Sequence, residues 1–317
     1  MEELREIRRR LAVIEATGDV TKAMRIISAT RLKRIQEYVG KTDEYAQGFR
    51  EIASRMAPAV GIRREAGADG KTGTKVGDGF AMENEETCYI VISSDKGLAG
   101  GYNINLIEAL DQHYRQRARS DPRNLDKAPL VIPVGIKGAR ILRHKGWRIM
   151  QDSIDVQEIP GIADAEKAAR KVYDAYTTGE ISEVFLAYTR FVSAGRRIPT
   201  IERLLPMSAI CDQGAMNGGE DKADEQPRES PAPVMLFEPD PEQLSKEVLP
   251  EYLTAILFSA MINARASEFA ARVEAMEGAN DNAKKLAKQL SFLYNRARQA
   301  EITQEIGEII AGAASLR

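Results

Sequence analysis

Side chains that commonly perform chemistry are sparse in this sequence. The two cysteines, Cys88 and Cys211, and the two histidines, His113 and His144, lie far apart, so redox CxxC motifs, zinc ligand sets and Cys–His nucleophiles lack material. No Ser–His–Asp set, paired-carboxylate loop or metal motif stands out, and no metal or cofactor is expected. Both cysteines read as buried small apolar side chains. One loop does sit where phosphate chemistry often occurs: Ser93-Ser94-Asp95-Lys96-Gly97-Leu98-Ala99-Gly100-Gly101 follows a predicted strand and precedes a predicted helix. A P-loop ends in Gly-Lys-Ser/Thr, whereas here Lys96 precedes the glycines, the wrong order to cradle a phosphate. The segment reads as a structural turn. A basic stretch is the other candidate, since Arg5 to Ile35 holds nine Lys or Arg against three acids, a net of +6. It lacks the stacking aromatics or recognised motif of a nucleic-acid binder. A salt-bridging face that meets acidic partner subunits explains the charge as well.

The elements that must position these residues fall into three parts. From Met1 to Ala57 there is no proline, and Leu4, Ile7, Leu11, Ile14, Val20, Met24, Ile27, Leu32, Ile35 and Val39 recur in mostly helical steps. A helix over that span is about 80 Å long at roughly 1.5 Å per residue, with a bend or weakened turn expected at Gly18. Pro250 is the last proline, and from there to Arg317 the pattern is continuously helical, with Val273, Met276, Ala283, Leu286, Leu290, Leu293, Ala297, Ile302, Ile306 and Ile309 on or near one seam. So narrow a seam suits a coiled-coil partner, and the first helix is the obvious one. Between them the period changes. Short β-rich runs at 87–93, 129–134 and 184–188 alternate with helical patterns at 104–117, 136–144 and 164–176, which predicts a small α/β domain. The run 197–206, with Pro199, suits an edge strand.

The fold expected is therefore α/β, a long antiparallel coiled coil of N- and C-terminal helices with a central small α/β domain. Its parts are 1–58 (N-terminal coiled-coil helix), 59–235 (α/β domain with polar insertions near 61–86 and 212–233) and 236–317 (C-terminal coiled-coil helix). The 317 residues are 43% hydrophobic and 29% charged, enough to bury a sizeable core, which excludes full disorder. A formal net charge of −2 gives no global reason for a nucleic-acid or anionic-membrane partner. From Asp212 to Glu242 nine acidic residues face two basic ones, the composition of a solvated surface loop. The N-terminus lacks the apolar core of a signal peptide and reads as the start of a cytosolic protein. No run approaches the ~20 apolar residues of a membrane span, so membrane association is expected only through a partner.

Longer motifs carry a family resemblance. Ile7-Arg8-Arg9-Arg10-Leu11 and Val20-Thr21-Lys22-Ala23-Met24-Arg25-Ile26-Ile27-Ser28-Ala29-Thr30-Arg31-Leu32 resemble the N-terminal signature of the gamma subunits of F-type ATP synthases. Ala266-Ser267-Glu268-Phe269-Ala270-Ala271-Arg272-Val273-Glu274-Ala275-Met276, Asn282-Ala283 and Tyr294-Asn295-Arg296-Ala297-Arg298-Gln299-Ala300-Glu301-Ile302-Thr303-Gln304-Glu305-Ile306 are similar to its C-terminal signature in order and spacing. Ser94-Asp95-Lys96-Gly97-Leu98-Ala99-Gly100-Gly101-Tyr102-Asn103 is similar to the family's central loop, with Ala99 where cysteine is common, and Phe237-Glu238-Pro239-Asp240-Pro241 to its turn before the last helix. The closely spaced cysteine pair of the redox-controlled chloroplast form is missing, so thiol regulation is not expected.

The resemblance implies a non-catalytic central rotor shaft, coupling transmembrane ion flow to ATP synthesis or hydrolysis at sites on the alpha and beta subunits. It implies as partners the alpha, beta and epsilon subunits and the membrane rotor ring of c subunits, with no nucleic acid. The place implied is the cytoplasmic face of the bacterial cell membrane, as a peripheral protein. It implies that Arg272, Gln299, Thr303 and Glu305 contact beta, that Thr21, Lys22 and Met24 sit where the shaft meets the lower ring, and that Glu238 lies near the rotor foot. The apolar last turn, Ile309-Ile310-Ala311-Gly312-Ala313-Ala314, is expected to form a smooth tip turning in an apolar sleeve.

Overall fold

The computed structural model describes residues 2–60, 76–77, 80–81, 86–120, 128–150, 154, 156–206 and 241–314; residues 2–3, 57–60, 76–77, 80–81, 120, 241–243, 245 and 311–314 are described by their backbone alone. Helix α1 (Glu2–Val60) opens the chain and α5 (Pro241–Ala314) closes it. Between them lie β1 (Val76–Gly77), β2 (Phe80–Ala81), β3 (Thr87–Ile92), α2 (Tyr102–Ser120), β4 (Leu130–Val134), α3 (Ile136–His144), β5 (Arg148–Ile149), α4 (Ile162–Thr177), β6 (Glu183–Phe191) and β7 (Arg197–Leu205). β1 and β2 form an antiparallel pair within the stretch read as a polar insertion. The 212–233 insertion and Cys211 lie outside the described residues.

Two compact units emerge: residues 1–32, 98–100 and 269–317 form the first, and residues 33–97 and 101–268 the second. In the second, five strands run in the order β5-β4-β3-β6-β7, parallel except for β7, which returns antiparallel beside β6. Every residue from Cys88 to Ile92 and from Leu130 to Val134 is buried, as expected where helices cover both faces of a parallel sheet. Ile90, Ile132 and Leu186 face a layer made by α4, the Ala46 and Ala53 face of α1 and the Leu249–Ala264 stretch of α5. Tyr89, Val91, Val131 and Phe185 face Leu106, Ile107 and Leu110 of α2 and Leu142 of α3. Each fully buried aliphatic side chain is worth about 1.5–3 kcal/mol, and an Asp in place of the fully buried Ile90 would break this layer.

The first unit pairs the far ends of α1 and α5. A Cβ on Gly18 would sit 3.6 Å from that of Ala283, and Glu6, Arg9, Arg10, Val13 and Ile14 share a groove with Leu286, Gln289, Leu290 and Leu293. Residue numbers rise on one helix as they fall on the other, so the pair is antiparallel.

Three expectations need correction. α1 runs through Gly18 without a break, because a close antiparallel neighbour supports the turn that propensity alone weakens. α5 starts at Pro241 rather than Pro250 and keeps Pro250 inside it. Burial of Leu249, Tyr252 and Leu253 offsets the ~3 kcal/mol that an interior proline costs. The seam of α1 is also shifted by one residue: Val20 (58%) and Ile27 (50%) are exposed, whereas Thr21 and Ser28 are buried. Small side chains let two helices approach closely, which outweighs the hydropathy of their neighbours.

Candidate partner-binding surfaces

In the first unit residue 18 lies beside 283, and residues 6–14 share a groove with 286–293. α5 therefore continues as a single helix for roughly 16 residues, about 24 Å at the α-helical rise, beyond the level where α1 starts. That stretch exposes Ile302, Ile306, Ile309 and Ile310, the last two at 70% and 64%, in helical steps that make one stripe. On α1, Val13, Val20 and Ile27 are exposed seven residues apart, a second outward stripe. Contiguous exposed apolar surface of this kind marks interaction sites.

The residues expected to touch partners are distributed unevenly. Gln299, Thr303 and Glu305 are exposed on the single-helix stretch, and the Thr303 hydroxyl donates to the Gln299 carbonyl at 2.8 Å. Arg272 is not among them. It lies 27 residues earlier on the same helix, roughly 40 Å away at the helical rise, and is 6% exposed with its guanidinium 5.9 Å from the Phe269 ring centroid. Lys22 is exposed, Met24 is half-buried, and Thr21 is buried with its hydroxyl turned back to the Gly18 carbonyl at 2.9 Å. Glu238 lies outside the described residues. Leu98 holds a left-handed backbone, φ 62°, at a cost of about 1–2 kcal/mol, and is exposed.

In the second unit the loop after β3 does structural work. Asp95 Oδ1 accepts the amide of Ile136 at 3.2 Å, and Ser93 Oγ accepts that of Gly138 at 3.0 Å, so the chain's own oxygens occupy the start of α3. The approach is close: a Cβ on Gly138 would lie 2.4 Å from Ser93 Oγ, and one on Gly135 (φ +99°) 2.4 Å from the Ser93 carbonyl oxygen. The amides at the start of α3, where an anion could otherwise be held, are thus taken by Asp95 and Ser93. The other Asp95 oxygen accepts from Arg265 Nη2 at 2.5 Å. Arg265 also donates to Glu268 (2.8 Å) and to the Val156 carbonyl (3.2 Å). Burial would lower its pKa, but Glu268 and Asp95 raise it overall.

Further clamps hold α1 and α5 to the sheet. Asp43 Oδ1 accepts from Ser259 (2.6 Å) and Asn263 (2.7 Å) of α5, and the side-chain carbonyl of Asn263 accepts the Phe191 amide at 3.2 Å. Arg50 of α1 donates twice to Glu202 of β7, at 3.1 and 3.0 Å. Burial pushes the Glu202 carboxyl above the usual range, opposed by Arg50, Arg190 and the Tyr188 hydroxyl. His113, packed against Tyr89 and Phe185, is lowered by burial and then by Arg117. Among the described residues, no group of three or more His, Cys, Asp or Glu could hold a metal ion, and no helix is long and apolar enough to cross a membrane.

Paired helices with uncovered apolar stripes, together with an α3 start whose amides are bonded by the chain's own side chains, define a structural subunit of a larger assembly. A family profile described as ATP synthase matches residues 3–316. The ATP synthase gamma chain of Moorella thermoacetica is 32% identical over 317 residues, the whole of both chains. That of Heliobacterium modesticaldum is 34% identical over 313 residues, 99% of each. The gamma chain of Acetobacterium woodii described as sodium ion specific is 31% identical over 319 residues, 99% of each. In fold, the chain is similar to one in the mitochondrial ATP synthase of Euglena gracilis, solved as OSCP, F1 and c-ring, with TM-score 0.60 and 17% identity over 99% of this chain and 95% of that one. This chain belongs to the ATP synthase gamma family.

Proposed function

We infer that the chain is the central rotor shaft of an F-type ATP synthase, turning within a ring of alpha and beta subunits and carried at its foot by the membrane rotor ring and epsilon. The observation that carries this reading is the bare stripe Ile302, Ile306, Ile309 and Ile310 on a helix that has outrun its partner. A surrounding sleeve would cover it. A shaft with one distinct face meets each beta subunit differently, so rotation moves the conformational bias from one nucleotide site to the next.

Within this reading Gln299, Thr303 and Glu305 contact beta near the end of the shaft, and Arg272 does so at a second, lower level. Thr21, Lys22 and Met24 stand at the lower ring, with Lys22 the most accessible of the three, and Glu238 lies near the foot. The working parts are 1–58, 59–235 and 236–317, and the complex is placed on the cytoplasmic face of a bacterial membrane. Co-purification of one copy with three alpha and three beta subunits is the expected result. Recovery of the chain alone, with alpha and beta assembling without it, would refute the reading. Ala313→Glu should also slow ATP turnover of the assembled complex.

A further inference from the structure

We propose that the partly buried ion pair Arg265–Asp95 is the latch that passes torque between the sheet-bearing unit and α5, and that it sets torsional stiffness there. The proposal rests on the rotor-shaft reading. Asp95 stands two residues before the β3–α2 loop leaves the second unit at Gly97, and Arg265 three residues before α5 leaves it at Glu268. One ion pair thus ties the β3–α2 loop to α5 within the second unit. It reaches further within its own unit. Asp95 Oδ1 holds the first turn of α3 while Oδ2 takes Arg265, and Arg265 also grips the Val156 carbonyl and Glu268.

The side chains are 11% exposed at Arg265, 18% at Asp95 and 3% at Glu268. Water therefore has restricted access to these bonds. The apolar contacts of α5 at Leu253, Ile256, Leu257 and Ala260 are non-directional and tolerate small rotations. A guanidinium fork between fixed carboxylates is directional and resists them. Ties from this part of α5 to its surroundings, such as Ser267 to the Thr189 carbonyl and the Tyr102 hydroxyl to the Ala264 carbonyl, are neutral bonds, roughly half as strong as charge-assisted ones. The Asp43 carboxylate ties α5 to α1, and reaches β6 only through the neutral bond from the Phe191 amide to Asn263.

Twist fluctuations of the chain in the assembled alpha–beta complex test this, read from a probe on Arg115→Cys of α2 in a Cys211→Ser background with the ring immobilised. Asp95→Asn keeps an oxygen for the Ile136 amide and removes the charge; Arg265→Met removes the fork; Arg265→Lys restores a charge. Leu249→Ala, at a fully buried position of the same helix, lowers stability without touching the pair. The expected result is a broader twist distribution for Asp95→Asn and Arg265→Met than for Leu249→Ala at equal loss of thermal stability, with Arg265→Lys narrowing it again. Widths that simply follow thermal stability, or that do not change, overturn the proposal. If the unsubstituted chain fails to assemble with alpha and beta, the rotor-shaft reading itself fails, and that is seen before any variant is compared.

Discussion

Arg50→Met should be the most costly of the conservative changes at the clamps. The Arg50 side chain is 31% exposed and that of Glu202 only 14%, so removing the cation strands a carboxylate with Tyr188 and Arg190 as its remaining support. Breaking a buried pair costs about 3–5 kcal/mol; partial access of water to this one brings the expectation down to about 2–3 kcal/mol. Glu202→Gln leaves Arg50 able to reach water and should cost about 1 kcal/mol. The double variant buries neither charge, so its cost should fall short of the sum by about 1–2 kcal/mol. Urea unfolding of the four purified chains at pH 7 gives the cycle. The dependence on pH is a second readout. Without Arg50 the folded-state pKa of Glu202 rises further above its unfolded value, so the folded state holds the proton more tightly, and stability is lost as pH rises through that folded value. Acidification from pH 7 toward the ordinary carboxylate range should therefore shrink the deficit of Arg50→Met. Additive costs, or an Arg50→Met variant within about 0.5 kcal/mol of the parent, would refute the clamp.

Gly18→Ala should stabilise the chain by up to about 1 kcal/mol in urea unfolding, since alanine is the better helix former and its Cβ would meet Ala283 at an ordinary 3.6 Å; a loss of stability would show that the helices leave no room for the added methyl. His113 is held below its ordinary pKa by burial and Arg117, so its contribution is intact above the unfolded value, about 6.5, and is lost as pH falls through the folded one; His113→Phe should flatten that part of the stability–pH curve, and an unchanged slope would reject the assignment. The Cys88 thiol is fully buried and pushed up to about 12 by burial, so in a Cys211→Ser background alkylation should be negligible until urea unfolds the chain. Rapid labelling of the native chain would contradict this.

Much of the architecture is legible in the residues themselves. The runs 87–93, 129–134 and 184–188 are read correctly because continuous Val, Ile and Tyr segments of that length suit a covered parallel strand. β5, only Arg148–Ile149, is too short for any period to show. The seam of α1 is misjudged at Val20 and Ile27 because hydropathy favours them over Thr21 and Ser28, while interhelix distance favours the smaller pair. Arg265 gives no sign of its ion pairs, since a lone arginine in a helix looks like a solvated position until folding brings Asp95 beside it. The stripe Ile302–Ile306–Ile309 is visible as a pattern, yet that it lacks an α1 neighbour depends on where the two helices come into register.

The most direct test of the rotor-shaft account is observation of single complexes immobilised by the alpha–beta ring, with a probe attached to this chain and ATP supplied. The account predicts one-way rotation of the probe that stops when ATP is removed. A probe that stays fixed while the same complexes hydrolyse ATP would contradict it.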